Sequence, residues 1–309
     1  MLANELLRFC LQETAVRRHY AIVKLTKERC LMRLGTAFAV GFILLISAWG
    51  VLRAQRPFKE YPALEYENFP IPDDFNTKHE WVRARLKYPD IYGYPQRRLQ
   101  LRDGREYPGY WTMDYPRSDR HLMAAVRRLT RIDTRLAEQV TEFDHSDDVY
   151  NWPVLYGVEV GHWQLPEDQA EQFRDYLMRG GFFMCDDFHG DEEWSKFMES
   201  MRKVLPNRPI EDIPDNDPIF HTLFDIDDKF QVPGAQFFET GITYEKGPSG
   251  KVPHWRCIRD DKGRIMVVIC HNMDLGDAWE HADEPRYLEK WSSLAFRIAM
   301  NYFIYDLTH

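Results

Sequence analysis

Three short apolar runs, each ending abruptly in charged and polar residues, restrict the folds open to this chain more than any other feature. They are Pro153 to Val160 (Pro-Val-Leu-Tyr-Gly-Val-Glu-Val), Phe182 to Cys185 (Phe-Phe-Met-Cys) and Arg264 to Cys270 (Arg-Ile-Met-Val-Val-Ile-Cys). Apolar continuity without alternation marks strands covered on both faces, as in a parallel sheet. Helical patterns separate the runs. Pro166 at a first helical position, with Glu167 and Asp168 in the first turn, opens one whose Phe173, Tyr176 and Leu177 share a face and which Gly180 closes. A second is expected from Glu192 to Val204 and a closing one from Pro285 to Tyr305. Strands alternating with such helices imply βαβ units and a largely parallel α/β sheet.

Weaker signals complete the layout. Trp81 to Tyr88 alternates apolar with basic and reads as a first strand, Gln139 to Phe143 as another, and Ile210 to Ile213 as a short one. Ser118 is placed to cap a helix running to Arg131, with Leu122, Val126 and Leu129 on its apolar face. Pro218 to Phe224 reads as a helical turn. The stretch 55–78 holds four prolines among aromatics, disfavouring helix and central strand, and reads as a linker ahead of a single α/β domain at 79–309.

The amino-terminal part is of another kind. Leu34 to Leu52 is a run of 19 residues without a charge, close to the ~20 that cross a bilayer as a helix. Residues 1–33 carry seven Lys/Arg against three Glu, so the chain's net charge of −9 leaves −13 on residues 34–309. The positive-inside rule then holds the amino end in the cytoplasm and sends the acidic body outward, to the periplasm or the outer face of the inner membrane. Three outcomes are open: an uncleaved anchor, a signal peptide starting at Met32 and cleaved after Ala54, before Gln55, or a buried helix of a soluble protein. In the first two, residues 34–52 engage a membrane, and the acidic balance argues against nucleic acid, which requires a concentrated basic face. Cys185, Cys257 and Cys270 in the main body are odd in number and lack C-x-x-C spacing, so no disulfide framework is expected.

Because parallel strands deliver their carboxyl ends to one edge, the polar residues after the three runs are expected to line one crevice. These are Glu159 and His162; Asp186, Asp187 and His189; and His271, Asn272, Asp274 and Asp277. Asp114 and Tyr115 are added from the loop before the first helix. Adjacent carboxylates in a partly buried crevice repel, which raises one pKa and produces a general acid; the plainer alternative is that they bond backbone amides and cap the next helix. Asp186, Asp187, His189 and His271 are therefore the catalytic candidates. His162, His189 and His271 with the acids offer ligands suited to Zn, Fe or Mn, but no H-E-x-x-H is present and neither a metal site nor a cofactor is assigned. Cys185 lies nearby, yet Met184 and Asp186 flank it where a nucleophile elbow has small residues, so it reads as a buried thiol. No phosphate-binding glycine motif is present. Trp111, Tyr115, Trp163, Phe188, Trp194, Trp255 and Trp279 read as core packing before they read as a stacking surface.

Several of these segments, taken in order, carry a family likeness. Trp111-Thr-Met-Asp114-Tyr115-Pro116 with Arg117 and Asp119, Arg128-Leu-Thr-Arg131-Ile, Val158-Glu-Val-Gly-His162-Trp163, Gly180 to Gly190, and Cys270-His-Asn-Met-Asp-Leu-Gly-Asp277 together resemble the domain-of-unknown-function 4159 family, across roughly residues 61–309. The resemblance implies a flavodoxin-like sheet similar to class I glutamine amidotransferases, with helices on both faces, in bacterial envelope proteins. The family brings no established reaction, and the amidotransferase Gly-x-Cys-x-Gly elbow has no counterpart here. The expected function is an envelope protein whose crevice binds a small polar or carbohydrate-like ligand or a protein partner. The alternative is a hydrolase using Asp186/Asp187 with His189 or His271, with or without a metal.

Overall fold

Seven strands form one sheet in the order β2-β1-β3-β4-β7-β6-β5, in a computed structural model that describes residues 56–61, 70–91 and 109–309. Arg56–His309 forms one compact unit. The uncharged stretch 34–52 lies outside the described residues, among which no helix is long and apolar enough to cross a membrane.

The strands are β1 (Arg83–Leu86), β2 (Val140–Thr141), β3 (Val154–Val158), β4 (Phe182–Asp186), β5 (Glu211–Asp212), β6 (His254–Arg259) and β7 (Ile265–His271). From β2 through β7 neighbours run parallel, with Val154 opposite Phe182, Phe183 opposite Val267 and Arg85 opposite Tyr156. Then β6 runs antiparallel to β7, and β5 to β6. The 2-1-3-4 start is the flavodoxin-like strand order, with its reversal between β1 and β3. The largely parallel α/β reading therefore holds.

Period-two alternation sorts the strand side chains into two cores. Tyr156, Val158, Phe182, Met184, Val268 and Cys270 pack on one side, and Leu155, Phe183, Cys185, Val267 and Ile269 on the other. Helices α1 (Arg117–Leu129), α5 (Leu275–Glu280) and α6 (Glu289–Thr308) cover the first side, and α2 (Glu167–Met178) and α3 (Gly190–Val204) the second, while α4 (Phe237–Thr240) is a short turn of helix in a connecting loop. Every residue of β3, β4 and β7 is buried, which is why these runs show no polar alternation. Each fully buried aliphatic or aromatic side chain contributes about 1.5–3 kcal/mol relative to exposure.

Several local expectations are corrected. Ser118 does not cap α1: it lies inside the helix, which follows Pro116, and its hydroxyl instead accepts from Arg85 at 3.0 Å. Leu129, at the last turn, is 48% exposed, whereas Leu122 and Val126 are buried as expected. Strand β6 and helix α5 had no distinct sequence signal: the alternation of β6 holds only over His254 to Cys257 and breaks at the adjacent buried Ile258, next to a register shift. The basic residues of β1 do not face water either. Arg83 and Arg85 are buried beneath α1, where both bond Asp119. The stretch after residue 55 is tied down where it is described: the Arg56 amide donates to Asp148 at 2.8 Å, and Tyr61 packs edge-on against Trp111.

Candidate functional site

The backbone itself marks the carboxyl edge of the sheet. Glu159 follows the last residue of β3, Asp187 follows β4 and Asn272 follows β7, and all three are left-handed, with φ of 51°, 52° and 63°. Asp114, in the turn before α1, has φ 58°, and Lys246 has φ 53°. Asn tolerates this region, but a non-glycine residue there costs about 1–2 kcal/mol. Asp shares part of that tolerance, so the full cost falls on Glu159 and a smaller one on Asp187 and Asp114. Such strain persists only where surrounding structure imposes it, and it concentrates at functional sites.

The imposing structure is visible. The Asp187 amide donates to Met273 O at 2.9 Å and the Asn272 amide to Phe188 O at 3.0 Å, stitching the loops after β4 and β7 together. The Asn272 side chain donates to Ser249 O and Val252 O and accepts from the Gly190 amide at 2.8 Å. Asp186 accepts from the Leu275 and Gly276 amides at 2.6 and 3.1 Å, fixing the start of α5. Burial, against those bonds, pushes the Asp186 carboxyl up to about 6.

One constellation lies beyond the carboxyl ends of β3 and β4, beside the reversal between β1 and β3, on the edge where open α/β sheets bind ligands. His162 Nδ1 lies 2.8 Å from Glu159 Oε2, and its ring stacks on Tyr110 with centroids 4.0 Å apart. Burial lowers the His162 pKa, but the Glu159 contact outweighs it and the net shift is upward, toward imidazolium. Glu193, at the start of α3, accepts from the His189 amide at 2.6 Å and pairs with Lys246 Nζ at 2.8 Å. Asp187 Oδ1 lies 3.1 Å from His189 Nε2, and Glu245 Oε1 3.9 Å from the same nitrogen. Burial drives these groups toward neutrality. The Asp187 carboxyl is held well above the usual range by burial and by the charges of Glu159 and Asp114. Glu245 is pushed up to about 7 by burial and Glu159, and burial drops His189 to about 4. His189 Nδ1 is buried with no hydrogen-bond partner among the described residues.

A second constellation adjoins it. Asp114, Asp274 and Asp277 each bring a carboxylate oxygen within 4.8 Å of the others. Asp274 caps α5 by accepting from the Asp277 amide at 2.7 Å, and Asp277 accepts from the Ala235 amide and lies 3.5 Å from His281 Nε2. Burial and the neighbouring acids raise Asp114 and Asp274, while for Asp277 the bonds from His281 and Asp274 outweigh burial and lower it.

Of the sequence-derived candidates, Glu159, His162, Asp187 and His189 meet at the first constellation, and Asp114, Asp274 and Asp277 at the second. Four others are engaged elsewhere. Asp186 and Asn272 hold backbone as just described. Tyr115 is buried below the edge, its hydroxyl donating to Glu138 at 3.2 Å. His271 packs against Phe188, Trp194 and His254, with Nε2 3.2 Å from Gly190 O, and burial lowers it to about 3. Trp111, Tyr115, Trp163, Phe188 and Trp279 are all but fully buried core, so they form no stacking surface. Cys185 is buried, and burial raises its thiol pKa well above the usual value. Sequence reasoning missed Glu193, Glu245 and Lys246; Glu193 passes for an ordinary first-turn helix acid, and the other two lie in a loop without any motif.

Comparison with the curated proteins gives no match. A family model described as domain of unknown function (DUF4159) matches residues 98–307, more than half of the chain, and includes every acid of both constellations, so this protein belongs to the DUF4159 family.

Proposed function

We propose that this is a bacterial envelope protein whose carboxyl-edge crevice binds a small polar ligand rich in hydroxyl or amine donors. The observation that carries the reading is the gathering of Glu159, Asp187 and Glu245 around His162 and His189, on left-handed backbone and largely buried. Buried like charges and strained backbone both oppose folding. Groups retained against stability at a strand edge point to recognition. The carboxyl oxygens gathered there suit the donors of sugar-like hydroxyls or of an amine. Of the named aromatics Trp194 alone is partly exposed, and Phe188, His271 and Arg256 pack on it, so hydrogen bonding, rather than ring stacking, is the source of specificity in this reading.

The location rests on the sequence: a basic amino end, the 19-residue uncharged run and an acidic body. Membrane attachment through residues 34–52, as anchor or as cleaved signal, and an envelope partner protein belong to the same proposal. Fractionation of the native host and the mature amino terminus test it: Gln55 supports cleavage, Met1 with membrane association supports an anchor, and a soluble cytoplasmic protein overturns the location. For the crevice, the test is a thermal-shift and NMR screen of neutral sugars, amino sugars and sugar acids. Stabilisation by neutral or amino sugars, lost in Glu159→Gln and Asp187→Asn, supports the reading; stabilisation by sugar acids alone opposes it.

One observation favours a second reading. His189 Nε2 lies 3.1 Å from Asp187 Oδ1, and its Nδ1 has no hydrogen-bond partner among the described residues, the geometry of an oriented imidazole whose basicity burial lowers. Hydrolysis of a screened glycoside, ester or amide, abolished in His189→Gln with the fold retained, would select this reading over binding alone.

A further inference from the structure

The second constellation does not need the first, and its chemistry is distinct. Its donors are oxygens only: Asp114, Asp274 and Asp277 approach one another within 4.8 Å, whereas the first constellation mixes carboxylates with imidazoles. Asp114 is 6% exposed, and its Oδ2 is buried with no hydrogen-bond partner among the described residues. A buried carboxylate oxygen left in this way carries a desolvation cost that proteins rarely leave uncompensated.

The surroundings are shaped around these oxygens. A Cβ added to Gly276 would stand 2.2 Å from Asp114 Oδ2, and one added to Gly234 would stand 2.6 Å from Asp274 Oδ2, 2.7 Å from Gln236 Oε1 and 3.0 Å from Asp277 Oδ2. Only glycine leaves both approaches open. Gln236 adds an amide carbonyl, and both its side-chain polar atoms are buried without a hydrogen-bond partner among the described residues. Two of the three acids are already anchored through backbone amides, Asp274 by Asp277 and Asp277 by Ala235, so their orientation is set before any ligand arrives.

We propose that Asp114, Asp274 and Asp277, with the Gln236 carbonyl, form a binding site for one hard divalent cation of the Ca²⁺, Mg²⁺ or Mn²⁺ class. Three carboxylates and a carbonyl oxygen select this class over Zn²⁺ or Cu²⁺, the His281 imidazole 3.5 Å from Asp277 lying outside the set formed with Asp114 and Asp274. The cation satisfies Asp114 Oδ2 and cancels the repulsion among the three carboxylates. The site is separate from the imidazole-containing set that the sequence suggested for Zn, Fe or Mn.

The test uses the full-length protein, freed of metal with EDTA and titrated with Ca²⁺, Mg²⁺ and Mn²⁺ in turn by calorimetry. Terbium luminescence, sensitised by the neighbouring Tyr156 and Trp279, provides a second readout. One ion per chain is expected. Loss of a partner that merely orients a metal ligand costs about 10- to 100-fold in affinity, so Asp114→Asn and Asp277→Asn should each weaken binding by at least about tenfold. Glu159→Gln should leave it unchanged, which separates this site from the polar-ligand crevice. If Asp114→Asn fails to fold, Gly234→Ala, which crowds the oxygens without altering a ligand, takes its place with the same expectation. Absence of heat and of sensitised terbium emission, or binding that survives the substitutions, overturns the proposal.

Discussion

Removing the carboxylate of Asp119 should destabilise this domain more than any single surface change, because two buried guanidinium groups depend on it. Asp119 is 1% exposed and accepts from Arg85 Nε at 2.9 Å, from Arg85 Nη2 at 2.7 Å and from Arg83 Nη2. Arg85 keeps other acceptors, Trp111 O at 3.1 Å, Met113 O at 2.8 Å and Ser118 Oγ at 3.0 Å. Arg83 does not: among the described residues its buried Nε and Nη1 have no hydrogen-bond partner, and beyond Asp119 it has the Tyr156 ring 4.5 Å away. Breaking a buried ion pair from one side costs about 3–5 kcal/mol, since the remaining charge stays desolvated. With a urea m-value near 3 kcal/mol/M for a chain of this size, Asp119→Ala should lower the urea midpoint by at least about 1 M. The exposed Lys196–Glu199 pair is the control, and Glu199→Ala should change stability by less than about 0.5 kcal/mol. A fall in midpoint for Asp119→Ala no larger than that of the control would refute the argument. The same change should disturb Asp114, because Arg85 holds the Met113 carbonyl next to it.

Three further outcomes follow from burial and close contact. Burial, partly offset by Arg264, pushes the Asp306 carboxyl up to about 7; a raised acid binds its proton more tightly folded than unfolded, so stability is lost as pH rises from about 4 to about 7. Asp306→Asn should therefore flatten urea stability across that window and, allowing for partial exposure, exceed the parent by about 1–2 kcal/mol above pH 7; an unchanged pH profile would count against this assignment. Cys185, Cys257 and Cys270 are buried thiols whose pKa values burial raises, so peptide mapping after native alkylation should find them unmodified and find them labelled only in denaturant. Gly250→Ala places a Cβ 1.8 Å from Glu245 O, a backbone clash that must move Glu245 and Lys246; it should cost roughly 1–3 kcal/mol and abolish polar-ligand stabilisation, and retained binding would show that this loop lies outside the crevice.

The legible parts of the fold are the strands with one kind of environment. β3, β4 and β7 are covered on both faces, so their sequences are apolar throughout and easily read. β1 could be read as a strand but not as a buried one, because the partner that makes Arg83 and Arg85 tolerable, Asp119, lies more than thirty residues away. β6 was invisible for the opposite reason, its mixed burial giving neither a run nor a clean alternation. At the candidate site, the acids directly after strands were legible because parallel topology alone brings strand ends together. The packing of His271 on Phe188 and Trp194 and the use of Asn272 on backbone groups were not legible, because both depend on loops remote in sequence. Glu193, Glu245, Lys246 and Gln236 join through tertiary contacts from segments whose local patterns are ordinary.

The central claim is that the crevice acids are held against stability for the sake of a ligand, and Asp187→Asn tests it most directly. Asn keeps the size and the hydrogen-bonding reach toward His189, tolerates the φ of 52° better than Asp, and removes a charge that burial, Glu159 and Asp114 all disfavour. Because the folded carboxyl titrates above its unfolded value, the penalty grows as pH rises above the unfolded value and shrinks as pH falls toward 4. Urea unfolding of parent and variant at pH 8 and pH 4.5 is the measurement. A variant more stable than the parent at pH 8, with the gap narrowing at pH 4.5 and polar-ligand stabilisation lost, is the predicted result; a variant less stable at pH 8 would show that Asp187 supports the fold instead.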